Sequence, residues 1–520
     1  MTTNTPTETA KDAVKNAAGL PSSVTTADIG KPDNRLSIEK SDPGRRGIAF
    51  KNLLSAKQSG GSASGGKATD EVPAGFARKT APKLPELSEL DVVRHYTRLS
   101  KMAFSVDANF YPLGSCTMKY NPRINEEAAA LEGFSGLHPL AHDKSSQGTL
   151  EMLYDLEKRL CALCGMAAFT LQPAAGAHSE FTGLLIAKAY FEKLGDSART
   201  EIICPDSAHG TNPATAAMLG FTPVNIKSGP DGRVDPADLK VHLSDKTAVL
   251  MLTIPNTLGI FESRIEEIAD MAHKAGALVY MDGANFNALI GLVKPGDLGV
   301  DIMHINTHKT FSTPHGGGGP GAGGIGVKNR LEEFLPVPRV LKSGGAYTTD
   351  YNHPHSIGKV KAFFGNVGVL TRAYAYLLMH SKKELAGIAE NAILNANYMK
   401  SRLQAVYPAH SKEYCMHECV LTPPDELTAK GLKTLDVAKR LLDYGFHAPT
   451  IYFPLIVHEA IMIEPTETES KETMDSFVET MLAIKNEGAS TPQLLKDAPH
   501  TMPVKRLDEV QAARQPNLRW

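Results

Sequence analysis

The chain has 520 residues, a formal net charge of −2, and a composition 42% hydrophobic and 22% charged. That balance supplies no basic stripe for nucleic acid, no run of ~18 apolar residues for a membrane span, and no apolar core of a signal peptide. At ~100 to 200 residues per domain there is room for several domains, and a cytoplasmic protein is expected, since Glu8, Asp12 and Asp28 argue against a transit peptide.

In chain order, residues 1–85 are rich in Thr, Ser, Gly, Lys and Pro, with a Gly/Ser run at 59–66. They read as a flexible amino-terminal arm in which only residues 36–54 could dock. Residues 86–155 look helical. Cys161 and Cys164 lie in or just after a helical run at 153–163, and Cys415 and Cys419 form a second pair. Their spacing invites a metal or redox reading, but cysteine in an intracellular helix behaves as a small buried hydrophobe, and no metal is expected.

Small residues from Leu171 to Ala177 then lead into a long helical stretch, 181–194. The segment Leu171 to Glu180 could cradle a phosphate, because unpaired N–H groups and the helix dipole favour an anion at a helix start; an ordinary turn is the alternative. A strand near Ile202 ends in a loop of small residues carrying His209, which could stack on a flat ring or be a satisfied turn residue. Asp235 and Pro236 open a helix, with Asp238 near its positive end.

Ala248 to Pro255 reads as a buried strand followed by Asn256. Arg264 to Ala275 shows the helix period and meets Gly276, and Ala277 onward is an apolar run that stops at Asp282. Strand, helix, strand in this order is a right-handed parallel unit. Lys309 follows 27 residues after Asp282, at the end of a further strand and before a glycine-rich loop at 315–321. Taken alone, Asp282 could be a turn residue and Lys309 a surface lysine. The run Gly321 to Gly326 is a loose dinucleotide fingerprint, but it enters a strand near Ile325 where that motif should open a helix.

Open parallel sheets bind ligands outside the carboxyl ends of their strands, so Asn256, Asp282 and Lys309 could converge on one crevice. That set suits pyridoxal phosphate: its aldehyde forms a Schiff base with a lysine, and its ring is an electron sink while an aspartate keeps the pyridine nitrogen protonated.

The strings around Arg94 to Ser100, Phe110 to Pro122, Gly445 to Leu455 and Glu464 to Glu469, with the motifs above, resemble the P-proteins of the glycine cleavage system, specifically the lysine-bearing second subunit. The resemblance spans roughly residues 85 to 510. It implies an α/β chain with a fold type I, aspartate-aminotransferase-like large domain of mostly parallel sheet at 156–385. A smaller carboxy-terminal α/β domain would occupy 386–520, and 86–155 would be a helical segment at a subunit interface. It further implies Lys309 as the Schiff-base lysine, Asp282 on the pyridine nitrogen, His209 over the ring, and Gly176 and Ala177 at the phosphate. Asn256 would face the phenolic oxygen, with His308 beside the lysine. Ile254 stands where the family usually has Asn, which puts only the local turn in doubt.

The implied activity is that of an oxidoreductase that decarboxylates glycine, releases carbon dioxide and passes the aminomethyl group to the lipoyl arm of H-protein. The implied partners are glycine, lipoylated H-protein and a first subunit, two of each subunit per assembly. The partner of the glycine carboxylate is open among Arg372, His178, backbone amides and groups of the partner subunit. The rival readings are an amino-acid decarboxylase releasing free amine and a silent scaffolding subunit, the second opposed by the presence of Lys309.

Overall fold

The computed structural model describes residues 35–45, 73, 75–76, 78–80, 82–313 and 321–518. The Gly/Ser run at 59–66, residues 46–54 of the docking stretch, and positions 315–320 of the glycine loop lie outside the described residues. The chain forms two units, Met1–Ala103 and Phe104–Trp520. In the first, Ser88 caps helix α1 (Glu89–Met102): its hydroxyl accepts the Asp91 N–H at 3.1 Å, and the Asp91 carboxylate accepts the Ser88 N–H at 3.4 Å. This reciprocal cap satisfies two donors that the helix start would otherwise leave unpaired. Along α1, Leu90, Val93, Tyr96 and Leu99 are exposed.

The second unit is built on helices α2 (Arg123–Ala130), α3 (Gln147–Cys164), α4 (Gly176–Leu194), α5 (Thr211–Met218), α6 (Pro236–His242), α7 (Ile265–Lys274), α8 (Val367–Leu378), α9 (Lys382–Leu403), α10 (Thr434–Asp443) and α11 (Lys471–Ser490). Its large sheet has seven strands: β1 (Ala168–Thr170), β2 (Glu201–Pro205), β3 (Thr222–Ile226), β4 (Thr247–Thr253), β5 (Leu278–Gly283), β6 (Ile302–Asn306) and β7 (Gly323–Val327). Their order is β1-β7-β6-β5-β4-β2-β3. Strands β2 to β6 pair in parallel, and β7 is antiparallel to both β6 and β1.

The continuous apolar runs are explained by burial on both faces. Leu250, Leu252, Val279, Met281, Met303 and Ile305 pack with α3, α7 and α8, while Val249, Met251, Leu278, Tyr280 and Ile302 pack with α4 and α5. Each such aliphatic side chain withdrawn from water contributes ~1.5 to 3 kcal/mol. Asp235 caps α6 as expected, accepting the Ala237 N–H at 2.9 Å.

A hairpin of β8 (Arg339–Ser343) and β9 (Ala346–Asp350) follows, then a three-stranded antiparallel sheet, β10 (Cys419–Leu421), β11 (Thr450–Ile451) and β12 (Ile461–Ile463), in the order β10-β12-β11. Its core gathers Leu421, Ile463 and Phe477 with side chains of α9, α10 and α11. The expected boundaries at 155/156 and 385/386 lie within helices α3 and α9. The six cysteines are free thiols, and the Gly321–Gly326 run enters strand β7 at Gly323. No described helix is long and apolar enough to cross a membrane.

Candidate active site

Strands β4, β5 and β6 end side by side, with Thr253 paired to Asp282 and Asp282 to His304. Outside their carboxyl ends lies a cleft of about 360 Å³ whose lining includes Gly176, Ala177, His209, Asp282 and Lys309. Lys309 stands on a helical turn, Thr307–Thr310, just beyond β6 rather than at the strand end itself. Its Nζ donates to the Ser115 carbonyl at 2.6 Å.

Helix α4 begins at Gly176, five residues earlier than the apolar periodicity predicts, so Gly176 and Ala177 are its first two residues. No side chain caps this start, which leaves first-turn N–H groups available to an anion. A Cβ on Gly176 would stand 2.6 Å from Asn306 Oδ1, so glycine is what allows the helix start to approach the strand end this closely.

Asp282 is fully buried and fully engaged. Its Oδ1 lies 3.1 Å from His304 Nε2 and accepts the Ala284 N–H at 2.9 Å, while Oδ2 accepts Asn212 Nδ2 at 3.1 Å. Burial opposes the charge on each partner of this pair. The attraction between them prevails, holding Asp282 well below the usual carboxylate range and His304 above the usual imidazole value. Tyr280 OH meets His304 Nδ1 at 2.9 Å. Tyr280 itself fits under α4 because Gly183 has no side chain, a Cβ there falling 2.4 Å from the ring.

On the other side Asn212 also donates to Glu180 at 2.9 Å, and the Thr211 hydroxyl lies 2.9 Å from Glu180 and 2.8 Å from His209 Nδ1. Burial, and then the charge of Asp282, push the Glu180 carboxyl up. The Thr211 N–H donates to His209 Nδ1 at 3.2 Å, so that nitrogen accepts and the ring proton rests on Nε2. Burial lowers the His209 value, which keeps the ring neutral, and Phe453 meets it edge-on with centroids 5.5 Å apart.

Asn256 and His308 are not among the lining residues. The Asn256 amide makes its bonds elsewhere. Its Nδ2 donates to Gly232 O at 2.8 Å and its Oδ1 accepts from Leu258 and Ile260 N–H at 3.0 and 3.1 Å, so the amide is spent folding its own turn. The His308 ring turns to the residue before β7, its Nδ1 lying 2.9 Å from the Ala322 carbonyl oxygen and 3.1 Å from the Ala322 nitrogen. Arg372 grips Glu126 with two bonds of 2.7 Å and His178 Nδ1 accepts the Ala174 N–H, and neither lines the cleft.

Sequence reasoning passed over Glu180, Asn212, Tyr280, Asn285 and His304. His304 had a signal, since it lies three residues into the strand that Lys309 follows and pairs across to Asp282; Glu180 is four residues, one helical turn, beyond Gly176. Asn285 and Asn306 line the cleft and each has a buried Oδ1 with no hydrogen-bond partner. An amine, a carboxylate on a strand end and an uncapped helix start in one cleft fit a phosphorylated pyridine aldehyde.

Two family models match this chain: aminotransferase class-V over residues 182–407, and the glycine dehydrogenase C-terminal domain over residues 388–500. Over 451 residues it is 56% identical to the probable glycine dehydrogenase (decarboxylating) subunit 2 of Caldanaerobacter subterraneus, covering 87% of this chain and 93% of that protein. Identity to the protein of the same name from Listeria welshimeri is 53% over 485 residues, covering 93% and 98%. Among solved structures it resembles an inhibitor-bound glycine decarboxylase (P-protein) of the glycine cleavage system, with a TM-score of 0.65, 18% identity, and coverage of 93% of this chain and 100% of that one. A NifS-like protein aligns with a TM-score of 0.57 at 16% identity over 73% of this chain and 99% of its own. At these identities the structural likeness is one of fold.

Proposed function

The chain belongs to the glycine dehydrogenase (decarboxylating) subunit 2 family, and from that premise we propose that it uses pyridoxal phosphate, held at the cleft, to decarboxylate glycine and pass the aminomethyl group to the lipoyl arm of H-protein. The observation that carries this is the convergence of Lys309, Asp282 and the open start of α4 on one cleft. When bound, the cofactor supplies an electron sink for the bond that releases carbon dioxide.

Lys309 supplies the amine that holds the aldehyde. The N–H groups of Gly176 and Ala177 hold the phosphate. Asp282, kept ionised by His304, would keep a proton on the pyridine nitrogen, and His209, neutral and lining the same cleft, would add no charge beside it. Passing the carbon to a disulfide rather than to a proton requires that water stay out of the cleft until the lipoyl arm arrives.

A first subunit is the expected partner, two of each per assembly, in a cytoplasmic enzyme, and residues 86–155 are its expected contact region. The exposed apolar residues of α1 supply a surface of the right character for it.

The test is exchange of labelled bicarbonate into the carboxyl of glycine, with pyridoxal phosphate, lipoylated H-protein and the first subunit. Label entering glycine only when all are present supports the reading. Lys309→Ala should abolish exchange and the visible absorbance of lysine-bound cofactor together. An unchanged spectrum would remove Lys309 from its role.

A further inference from the structure

The Ser115-Cys116-Thr117 loop touches Lys309 through a carbonyl and two carboxylates through its amides. Ser115 O accepts from Lys309 Nζ at 2.6 Å, while the Ser115 N–H donates to Glu418 Oε2 at 2.7 Å. The Thr117 N–H and hydroxyl donate to Glu464 at 2.9 and 2.6 Å. Ser115 and Thr117 sit at φ of 65° and 50°, left-handed positions that persist only where surrounding contacts fix them. Glu418 and Glu464 are those contacts.

Both carboxylates are fully buried, and with His417 they place one oxygen or nitrogen each within 4.8 Å of one another. Glu418 Oε1 and both His417 nitrogens have no hydrogen-bond partner. Two carboxyls within 4.8 Å of one another and away from water disfavour a second negative charge, because neither solvent nor distance relieves their repulsion. The proton that relieves it has few places to sit.

Burial pushes His417 down to about 3, with the charge of Lys309 adding to the effect, so its ring stays neutral. Glu467 is committed to the Lys119 ammonium at 2.8 Å, and burial raises the Cys116 thiol. Lys309 is the cation whose charge acts on both carboxyls. Burial lifts Glu464 to about 7, and lifts Glu418 well above the carboxylate range with the charge of Glu464 adding to it.

We propose that Glu418 and Glu464 hold one proton between them, and that the single negative charge left to the pair fixes the Ser115–Thr117 loop and balances the Lys309 ammonium. They are positioning residues, since neither lines the cleft. The balancing role rests on the reading of Lys309 as the cofactor lysine, whereas the shared proton does not.

The arrangement makes an unusual demand on mutants. A glutamine keeps the shape of either side chain and an oxygen for the loop N–H, and the carboxyl left behind, still buried but relieved of the second carboxyl and facing the Lys309 charge, should then ionise. Infrared difference spectra of the cofactor-free chain should show a protonated-carboxyl band lost in E418Q and lost equally in E464Q. In the cofactor-loaded enzyme each single variant keeps one negative charge, so the pH midpoint of the visible absorbance should hold. The E418Q/E464Q double variant removes the charge and should lower that midpoint by about one pH unit.

A purely structural pair would give effects that add, and would not move the midpoint. A band that survives both single substitutions overturns the shared proton. A midpoint unmoved in the double variant overturns the balancing role. If even the unaltered chain forms no absorbing complex, the cofactor reading fails, and the infrared result still decides where the proton lies.

Discussion

Asp282 and Glu464 are both carboxylates removed from water, yet they respond to burial in opposite directions. Asp282 has an imidazole at 3.1 Å and two N–H donors, and it is held below the ordinary range. Glu464 has neutral donors from Thr117 and a second carboxyl nearby, and it rises to about 7. Desolvation alone would raise both. The partner decides which buried acid keeps its charge, and so which can hold a proton on a ring nitrogen and which can store one beside a lysine.

The most severe break in this comparison is Asp282→Asn. It removes the charge while keeping the shape, and should cost about 100- to 1,000-fold in glycine decarboxylation. Leaving His304 with no counter-charge should also cost about 3 kcal/mol in denaturant unfolding. Full activity in this variant would remove Asp282 from the cofactor ring.

Next in size is the pH dependence of the pair. The folded value of Asp282 lies below its unfolded one, so its contribution is present above about pH 4 and lost as acid titrates the folded carboxylate. That of His304 lies above, so its contribution is complete below about pH 6.5 and lost as pH rises through the folded value. The stability difference between the natural chain and D282N/H304Q should therefore be largest between about pH 4 and 6.5 and shrink on either side. A difference that stays flat from pH 4 to 9 would show that the two groups are not an ion pair.

A milder change tests the opposite rim of the cleft. Gly176→Ala places a methyl 2.6 Å from Asn306 Oδ1 at the start of α4. Overpacking of this kind costs about 1 to 3 kcal/mol, and a tenth of the cofactor affinity should remain where 1.4 kcal/mol is lost. Dialysis against pyridoxal phosphate would measure it. Unchanged affinity would move the phosphate away from this helix start.

Much of this was legible before the fold was in hand, for reasons that differ by residue. Asp282 ended an apolar run, which marks the carboxyl edge of a buried strand, and Lys309 followed the next strand by three residues. Gly176 and Ala177 preceded a helix period, though that period started counting five residues late because small residues carry no apolar signal. The charge network behind Asp282 was hidden: His304 sits inside an apolar run, and its meaning depends on the register that sets it beside Asp282. Glu418 and Glu464 were hidden more deeply, since nothing local marks either as a partner of a loop some 300 residues earlier.

Asn256 gives the smallest expected effect on the cofactor, and for that reason the sharpest one. Strand-end placement puts it in the same class as Asp282, but its amide makes three bonds within its own turn and to Gly232. Asn256→Ala should cost about 1 to 3 kcal/mol of stability from the donors and acceptor left unpaired. Cofactor affinity should stay within about twofold, because a change below 0.5 kcal/mol moves an equilibrium by little more than that. Asn285, which lines the cleft and whose buried Oδ1 has no hydrogen-bond partner, should show the reverse when changed to Ala: a loss of affinity larger than its loss of stability. If the two variants exchange these behaviours, the amide that meets the cofactor belongs to the end of β4 and the turn must open when the cofactor binds.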